Sequence, residues 1–238
     1  MNKTTNTAII LSAGFGKRML PLTKFKPKPM IKVGNKMLID YLLDDLHQKE
    51  INNIIVNLHY KALILHKYLS KRIHPQILFS DETKKLLDTG GGVKATLPMI
   101  KDDIFFVINC DGLWKNGLEE VIEKLTLSWD NNKTDVIMCL VKKDNTYGYS
   151  GNGDFFISED NQPIRPQKNE EAPYIYSGIQ LVHKRLFEKE EKTIFSFNLL
   201  WNKALKNHRV RVILHDDEWF HVGTPEMVDI TSKALLKR

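Results

Sequence analysis

The fold of this chain is decided by the stretch Leu11-Ser12-Ala13-Gly14-Phe15-Gly16-Lys17-Arg18, which is followed at a short distance by Pro27-Lys28-Pro29. An apolar run at residues 8–11 has the composition of a buried β-strand and ends at two closely spaced glycines. Because glycine has no side chain, the backbone at Gly14 and Gly16 can approach a ligand closely. A strand that breaks into such a turn is typical of α/β folds that bind ligands beyond the carboxyl ends of parallel strands.

Positive charge is concentrated immediately after this turn. No Asp or Glu occurs between Gly14 and Ile39, so the cations there have no acidic neighbours in the sequence. Exposed backbone N–H groups and clustered cations together form a site that can bind a polyphosphate. An ordinary strand-to-helix turn would explain the glycines alone, but the nearby cations favour a site for a nucleoside triphosphate. These cations are Lys17, Arg18, Lys24, Lys26, Lys28 and Lys32.

The spacing of the glycines excludes two commoner phosphate-binding motifs. A P-loop has four residues between its glycines and then Gly-Lys-Ser/Thr, and a dinucleotide fingerprint would need a glycine where Met19 stands. Lys28 is instead held between two prolines, which make the segment extended and stiff. A cation aimed in this way suits a transition state that builds charge on phosphoryl oxygens. The alternative is a solvated lysine on a proline-rich surface loop.

The composition is that of an ordinary globular protein. The chain has 238 residues, of which 42% are hydrophobic and 27% charged, and we expect one domain over residues 1–238. No apolar run resembles a membrane helix or a signal peptide, so we expect a cytoplasmic chain that binds no membrane. The net charge of +6 alone would allow nucleic acid as a partner, but no zinc-finger spacing or RNP-like motif supports that partner.

Cys110 and Cys139 lie in apolar runs and are predicted to be buried free thiols.

Strand-like and helix-like segments alternate over the first half of the chain. This order predicts a Rossmann-like fold with three α/β/α layers and a mostly parallel, mixed sheet. The segment at residues 144–173 is rich in turn residues around a short strand at residues 155–158, which predicts an inserted β-hairpin. We expect sugar-side contacts from this insertion. Helices are also predicted at residues 92–99, 184–189 and 198–206.

Two further motifs point to the same edge of the sheet. Asp111 follows a buried strand and precedes Gly112, and a carboxylate in that place can hold a divalent cation or simply cap the next turn. The run Thr89-Gly90-Gly91-Gly92 would destabilise the start of a helix. Three glycines in a row are therefore expected only where the backbone approaches something flat or charged. We favour a nucleobase or ribose there over a flexible turn.

These motifs together resemble the sugar-1-phosphate nucleotidyltransferase family. Its opening signature, Leu-x-Ala-Gly-x-Gly-x-Arg followed by Pro-Lys-Pro, matches residues 11–18 and 27–29, and the similarity runs over nearly the whole chain. Further segments are most similar to one branch, the N-acetylmuramate-1-phosphate uridylyltransferases of peptidoglycan recycling in cell-wall metabolism. They are Leu87-Asp88-Thr89-Gly90-Gly91-Gly92, Asn109-Cys110-Asp111, Gly151-Asn152-Gly153-Asp154-Phe155, Tyr176-Ser177-Gly178-Ile179 and Trp219-Phe220-His221-Val222-Gly223-Thr224-Pro225.

The resemblance implies a reaction and a set of site residues. An oxygen of the sugar 1-phosphate would attack the α-phosphorus of UTP in line, and pyrophosphate would leave without a protein nucleophile. Catalytic roles are implied for Arg18, Lys28 and Asp111. Mg²⁺ binding is implied at the positions of Asp111 and His221. Nucleotide binding is implied for Leu11, Ala13, Gly14, Gly16, Thr89, Gly90, Gly91 and Asn109. Binding of the sugar phosphate is implied for Asp154, Ser177 and Gly178.

The chain departs from the family pattern at His221. The family usually has an Asp there, which completes the metal site with Asp111, and Mg²⁺ prefers oxygen ligands whereas imidazole suits softer metals. His221 would then either ligate and shift the preference toward Mn²⁺ or Co²⁺, or leave Mg²⁺ to Asp111 and the phosphates, or abolish catalysis. We favour the second outcome because the other signature residues are intact.

Several alternatives for the function stay open at the level of sequence. The sugar phosphate could instead be glucose 1-phosphate, mannose 1-phosphate or phosphocholine, with another nucleoside triphosphate. A non-catalytic nucleotide-sugar-binding subunit is favoured only by His221, and a nucleic-acid binder is least supported. The hexapeptide repeats that many relatives carry are absent, so a bifunctional acyltransferase is not expected. The expected partners are UTP and a sugar 1-phosphate, and the expected assembly is a monomer or a small homo-oligomer.

Overall fold

The computed structural model describes residues 5–235, within which the chain forms fourteen strands and six α-helices. The strands are β1 (Thr7–Leu11), β2 (Lys32–Val33), β3 (Lys36–Met37), β4 (Asn53–Leu58), β5 (Gln76–Asp81), β6 (Ile104–Asn109), β7 (Gly112–Trp114), β8 (Val136–Lys142), β9 (Thr146–Tyr147), β10 (Phe156–Ile157), β11 (Pro163–Ile164), β12 (Tyr174–His183), β13 (Val210–His215) and β14 (Trp219–His221). The helices are α1 (Leu38–Gln48), α2 (Ala62–Leu69), α3 (Asp88–Thr96), α4 (Glu119–Leu127), α5 (Asn198–Lys206) and α6 (Pro225–Leu235).

Seven of these strands form one central sheet in the order β13-β8-β12-β6-β1-β4-β5. Neighbouring strands pair in parallel except for β12, which is antiparallel to both β6 and β8. Strand β1 lies between β6 and β4, so the carboxyl ends of these three strands meet at one edge of the sheet. The mixed, mostly parallel sheet is therefore confirmed.

Helices cover both faces of the sheet, because its strands are apolar on both sides. Ala8 and Ile10 of β1 are fully buried in a cluster with the apolar residues of α1, α2 and α4. Ile9, which points to the opposite face, packs in a second cluster with residues of α3 and α5. The three α/β/α layers follow from this alternation.

A third apolar cluster holds the loop between β1 and β2 in place. Met19 and Ile31 of that loop are buried against Phe220 of β14 and Met227 of α6. The segment that carries Lys28 is thus fixed by residues from the last part of the described chain.

The structure differs from the predictions mainly in short elements. Helix α3 starts at Asp88 and includes all three glycines, whereas the predicted helix began at residue 92, the last of them. The segment predicted as a helix at residues 184–189 forms only a 3₁₀ turn, Lys184–Phe187. The sequence also predicts a strand at residues 219–222, which forms as β14. The other strands of the small sheets, β2, β3, β7 and β9, were not predicted, because strands of two or three residues carry no readable periodicity. The predicted insertion does contain a hairpin, which strands β10 and β11 form.

Both cysteines are buried free thiols, as predicted. Burial raises the pKa of Cys110 and of Cys139 to about 12, so neither thiol is ionised near neutral pH. None of the helices between residues 5 and 235 is long and apolar enough to cross a lipid bilayer.

We predict that Gly91→Ala destabilises the protein although alanine is the better helix former. A Cβ atom at Gly91 would lie 2.3 Å from the backbone carbonyl oxygen of Thr193, which cannot move aside cheaply. The helix propensity gained is about 1 kcal/mol, whereas overpacking against backbone costs about 1–3 kcal/mol or more. Urea unfolding should show a net loss of stability. Gly14→Ala is the matched control, because its Cβ would meet no atom within 4 Å, and an equal loss in both variants would contradict the packing argument.

Candidate active site

A cavity of about 410 Å³ opens at the edge where β1, β4 and β6 end. Its walls come from the glycine turn after β1, from the start of α3 and from the residues that follow β6. It brings together most of the residues that the sequence predicts for catalysis and nucleotide binding. Those in its lining are Leu11, Ala13, Gly14, Gly16, Arg18, Lys28, Thr89, Asn109 and Asp111.

In the glycine turn, Gly16 adopts a backbone conformation that requires glycine, and Gly14 leaves the backbone accessible from the cavity. Gly16 has φ +61°, and a Cβ there would lie 3.0 Å from Cγ2 of Thr23, so this position needs glycine. The buried Thr23 hydroxyl donates to the Gly16 carbonyl oxygen at 2.9 Å and ties the loop to itself. Gly14 faces open space at the cavity. The backbone around Gly14 is therefore accessible to a ligand.

An ion pair joins this loop to the central sheet. The Lys28 ammonium donates to Oδ2 of Asp111 at 2.8 Å, and the two side chains are 11% and 25% exposed. Lys28 starts a 3₁₀ turn after the extended Pro27. Burial alone would raise the pKa of Asp111, but the charge of Lys28 and the contact with His221 hold that pKa far below its usual range. Asp111 is therefore ionised near neutral pH.

His221 lies beside the same carboxylate. Its Nε2 is 3.4 Å from Oδ2 of Asp111, and its Nδ1 is 3.2 Å from the carbonyl oxygen of Gly148. Because a carbonyl oxygen only accepts hydrogen bonds, that contact places a proton on Nδ1 and turns Nε2 toward Asp111. The backbone fixes the pair, since the Val222 N–H donates to the Asp111 carbonyl oxygen at 2.8 Å.

Arg18 stands at the rim of the cavity. It is exposed, lies in the 3₁₀ turn Lys17–Met19, and forms no ion pair within residues 5–235. Its guanidinium is therefore available to a negatively charged ligand, and its planar geometry suits phosphate oxygens.

A buried polar network that the sequence analysis missed connects three elements at the cavity. The Ser12 N–H donates to Oδ1 of Asn57 at 2.5 Å, and Nδ2 of Asn57 donates to Oε1 of Glu82 at 2.7 Å. The other oxygen of Glu82 accepts from the Leu87 N–H at 3.1 Å, just before α3. Asn57 and Glu82 are each 3% exposed, so the network fixes the glycine turn relative to the start of α3.

The three glycines of α3 have a packing role in the structure. A Cβ at Gly90 would lie 2.4 Å from the ring of Phe195, and one at Gly92 would lie 2.8 Å from Oε1 of Glu82. The N–H groups of Gly90 and Gly91 donate to the Phe195 carbonyl oxygen at 2.9 and 3.0 Å. The close approach is thus to the protein's own chain, and nucleotide contacts of Gly90 and Gly91 stay a prediction.

A second, smaller cavity of about 200 Å³ adjoins the first. The two share Leu11, Asp88, Thr89 and Asn109 as walls. Three aromatic and three polar residues of β12, of α5 and of the segment just before α5 line the rest of the smaller one: Tyr176, Gln180, Ser196, Phe197, Asn198 and Trp201. It lies where β12 has a bulge between Tyr176 and Gln180. Bulges commonly redirect side chains next to binding sites.

The residues predicted to bind the sugar phosphate shape this region without lining either cavity. The fully buried Ser177 hydroxyl donates to the Cys139 carbonyl oxygen at 3.0 Å, and Asp154 accepts from the Tyr176 N–H at 2.9 Å. Gly178 has φ +90°, and a Cβ there would lie 3.1 Å from Cβ of Asn109. Their contact with a sugar phosphate stays a prediction.

Known proteins are similar to this chain in sequence and in fold. The family model described as nucleotidyl transferase matches residues 7–235. An N-acetylmuramate α-1-phosphate uridylyltransferase of Caulobacter vibrioides is 31% identical over 95% of each chain. A D-glycero-α-D-manno-heptose 1-phosphate guanylyltransferase of Campylobacter jejuni is 28% identical over 92% of this chain and 95% of its own.

A solved structure of another protein has a similar fold. The crystal structure of HddC from Yersinia pseudotuberculosis complexed with GMP-PN superposes with a TM-score of 0.76 at 25% identity, over 97% of this chain and 98% of that one. The match of the family model spans almost all of the described residues. The chain therefore belongs to the nucleotidyl transferase family and is an enzyme of the sugar-1-phosphate nucleotidyltransferase class.

Proposed function

We propose that this enzyme transfers a uridylyl group from UTP to N-acetylmuramate 1-phosphate, as part of peptidoglycan recycling. The main observation that supports a transfer reaction is the ion pair between Lys28 and Asp111 in the cavity beside the glycine turn. The choice of muramate and uracil is supported by the Caulobacter relative. A guanylyl transfer to a heptose 1-phosphate is the second candidate, because the Campylobacter relative bears that name.

The reaction needs no protein nucleophile. The phosphate of a sugar 1-phosphate is already anionic near neutral pH, so one of its oxygens can attack the α-phosphorus of UTP directly. A P–O bond forms between acceptor and α-phosphorus while the bond from the α-phosphorus to pyrophosphate breaks. The work left to the enzyme is to place the two anions in line and to stabilise the charge that builds between them.

Two cations of the chain are placed to do this work. Lys28 is held rigidly in the cavity wall, where its ammonium would bind oxygens of the α-phosphate as their charge increases. Arg18 at the rim would bind the outer phosphates through two parallel hydrogen bonds.

Asp111 is the residue that would hold a divalent cation. Mg²⁺ is often bound by one or two carboxylates together with substrate phosphates, and the carboxylate of Asp111 in the cavity lining fits that pattern. Residues 5–235 contain no cluster of three or more His, Cys, Asp or Glu side chains suited to a metal, so phosphates and water would supply the other ligands. A bound cation would neutralise phosphate charge. Only if His221 also bound the cation would its imidazole favour Mn²⁺ over Mg²⁺.

The direct test is the release of pyrophosphate. Purified protein is incubated with N-acetylmuramate 1-phosphate, UTP and Mg²⁺, with GTP, CTP and other sugar 1-phosphates in parallel wells. Rapid release only with UTP and the muramate substrate is the expected result. Rapid release with GTP and a heptose 1-phosphate would support the second candidate. No release with any pair, in Mg²⁺ or Mn²⁺, would favour a non-catalytic binding protein.

We predict that Lys28→Met lowers kcat by about 100- to 1,000-fold, as expected for loss of one group that stabilises transition-state charge. The measurement is steady-state pyrophosphate release at saturating substrates, with a melting curve to show that the variant folds. Lys24→Met is the matched control, because Lys24 is an exposed lysine of the same loop that does not line the cavity. Equal losses in the two variants would show that only the loop's overall charge matters.

We also predict different effects at the two candidate metal ligands. Asp111→Asn should reduce the Mg²⁺-dependent rate by about 100-fold or more, because it removes the carboxylate from the site. His221→Ala should keep the rate within about tenfold of wild type, with the same preference between Mg²⁺ and Mn²⁺, if Asp111 and the phosphates suffice. Titrations of both metals measure this. A changed metal preference in His221→Ala or His221→Asp would show that the imidazole is a ligand.

A further inference from the structure

Three segments that form the larger cavity are joined by Glu82, a residue that does not itself line that cavity. The carboxylate of Glu82 is bonded to the side chain of Asn57 near the end of β4 and to the Leu87 N–H just before α3. The amide of Asn57 also accepts from the Ser12 N–H in the turn after β1. Ser12, Asn57 and both chain neighbours of Leu87 line the cavity. One buried carboxylate therefore connects the phosphate-binding turn to the start of α3.

The direction of every hydrogen bond in this network is fixed by the two backbone groups at its ends. A backbone N–H can only donate, so the Ser12 N–H requires the oxygen of the Asn57 amide, at 2.5 Å. The nitrogen of that amide then donates to Oε1 of Glu82 at 2.7 Å. The Leu87 N–H donates to Oε2 of Glu82 at 3.1 Å. Both oxygens of Glu82 must therefore accept, which a carboxylate does and a side-chain amide does not.

The network is buried and closely packed. Asn57 and Glu82 are each 3% exposed. Gly92 of α3 leaves the room for them, because a Cβ there would lie 2.8 Å from Oε1 of Glu82 and 3.0 Å from Nδ2 of Asn57. A donor that loses its acceptor in this place has no water to replace it. Such a mismatch is expected to move the connected segments apart.

The backbone of Glu82 is held separately from its side chain. Its N–H donates to the carbonyl oxygen of Leu58 at 2.8 Å, at the end of β4. Its carbonyl oxygen accepts from Nδ1 of His59 at 2.7 Å, and the His59 ring meets the ring of Phe15, in the glycine turn, edge to face at 5.3 Å. The backbone thus gives the carboxylate a fixed starting point beside β4.

We propose that Glu82 is a positioning residue for the nucleotide, which sets the spacing between the glycine turn and the start of α3 through Asn57 and Leu87. This inference rests on the proposed function, because it takes the larger cavity as the nucleotide site. A nucleoside triphosphate in that cavity would contact both segments at once. If the segments move apart, each can still bind its own part of the nucleotide, but the two no longer bind together. The carboxylate needs no contact with the ligand.

The first test is Glu82→Gln, which turns one of the two accepting oxygens into a donor. We expect kcat/KM for UTP to fall by about 10- to 100-fold, as for a small misplacement at a distance from the chemistry. The KM of the sugar 1-phosphate should change less than about twofold, because the network does not reach the smaller cavity's own walls on β12 and α5. Steady-state pyrophosphate release measures both values. A rise of both KM values by the same factor would overturn the proposal.

The second test moves the negative charge along the network. Asn57→Asp alone brings two carboxylates together at the 2.7 Å contact and should also weaken UTP binding. In Asn57→Asp/Glu82→Gln, the new carboxylate accepts from the Ser12 N–H and from the new amide, whose oxygen accepts from the Leu87 N–H. Every group is paired again, so calorimetry should show that the double variant binds UTP about tenfold more tightly than either single variant. No gain over the better single variant would overturn the proposal, because a carboxylate that touched the nucleotide itself could not be replaced from position 57.

Asp102→Asn is the matched control for loss of stability. Asp102 is a partly buried carboxylate that accepts from the Asn6 N–H at 3.1 Å and from the Thr7 hydroxyl at 2.8 Å, at the amino end of β1 and away from the cavity. This variant should lower Tm and leave the affinity for UTP unchanged. If UTP binding falls with Tm to the same degree in Asp102→Asn and Glu82→Gln, general destabilisation explains the effect and the proposal is wrong.

A measurement on wild type covers the case in which the variants do not fold. Amide hydrogen exchange is followed by NMR without nucleotide, and the N–H groups of Ser12 and Leu87 should exchange slowly because both are bonded in the buried network. Rapid exchange of either group would overturn the proposal. UTP binding without pyrophosphate release from any acceptor would contradict the proposed function alone. Normal transfer by wild type with equal UTP affinity in wild type and Glu82→Gln would contradict this inference alone.

Discussion

The parallel pairing of β1 with both β4 and β6 is the constraint on which the site depends. It brings the glycine turn after Leu11, the amide of Asn57 and the carboxylate of Asp111 to one edge of the sheet, although they are far apart in sequence. Neither a turn nor a carboxylate is a site by itself. Burial of β1 on both faces keeps this arrangement rigid, because a slip of one residue would exchange Ile9 and Ile10 between the two cores.

The charged residues at this edge of the sheet make it suited to binding phosphates. The loop after β1 carries many cations, and the one that is stiffened by flanking prolines is also the one that pairs with Asp111. The pair holds the Lys28 ammonium in the cavity wall without a ligand, so the cavity is arranged for anions before any arrives. Such preorganisation is the main way in which an enzyme stabilises charge at low cost. The smaller cavity has no lysine or arginine in its lining.

Much of this could be predicted from the sequence, and the failures have physical reasons. Strand ends, glycines and unneutralised cations are local signals, so the turn, Lys28 and Asp111 were found before the fold. Asn57 was missed, although a polar residue inside an apolar strand is a usable signal. The close approach at Gly91 was predicted for a ligand, whereas it serves the carbonyl of Thr193, about a hundred residues away.

The cluster that joins α6 and β14 to the loop after β1 has a consequence for biosynthesis. Met19 and Ile31 lose their apolar cover without Phe220 and Met227, and Asp111 loses the backbone bond from Val222. A ribosome makes residues 219–235 after every other part of the site. The sheet of a nascent chain can therefore assemble before the phosphate-binding loop is fixed. Exposed apolar surface on that loop makes the emerging polypeptide a natural client for chaperones until its final helix docks.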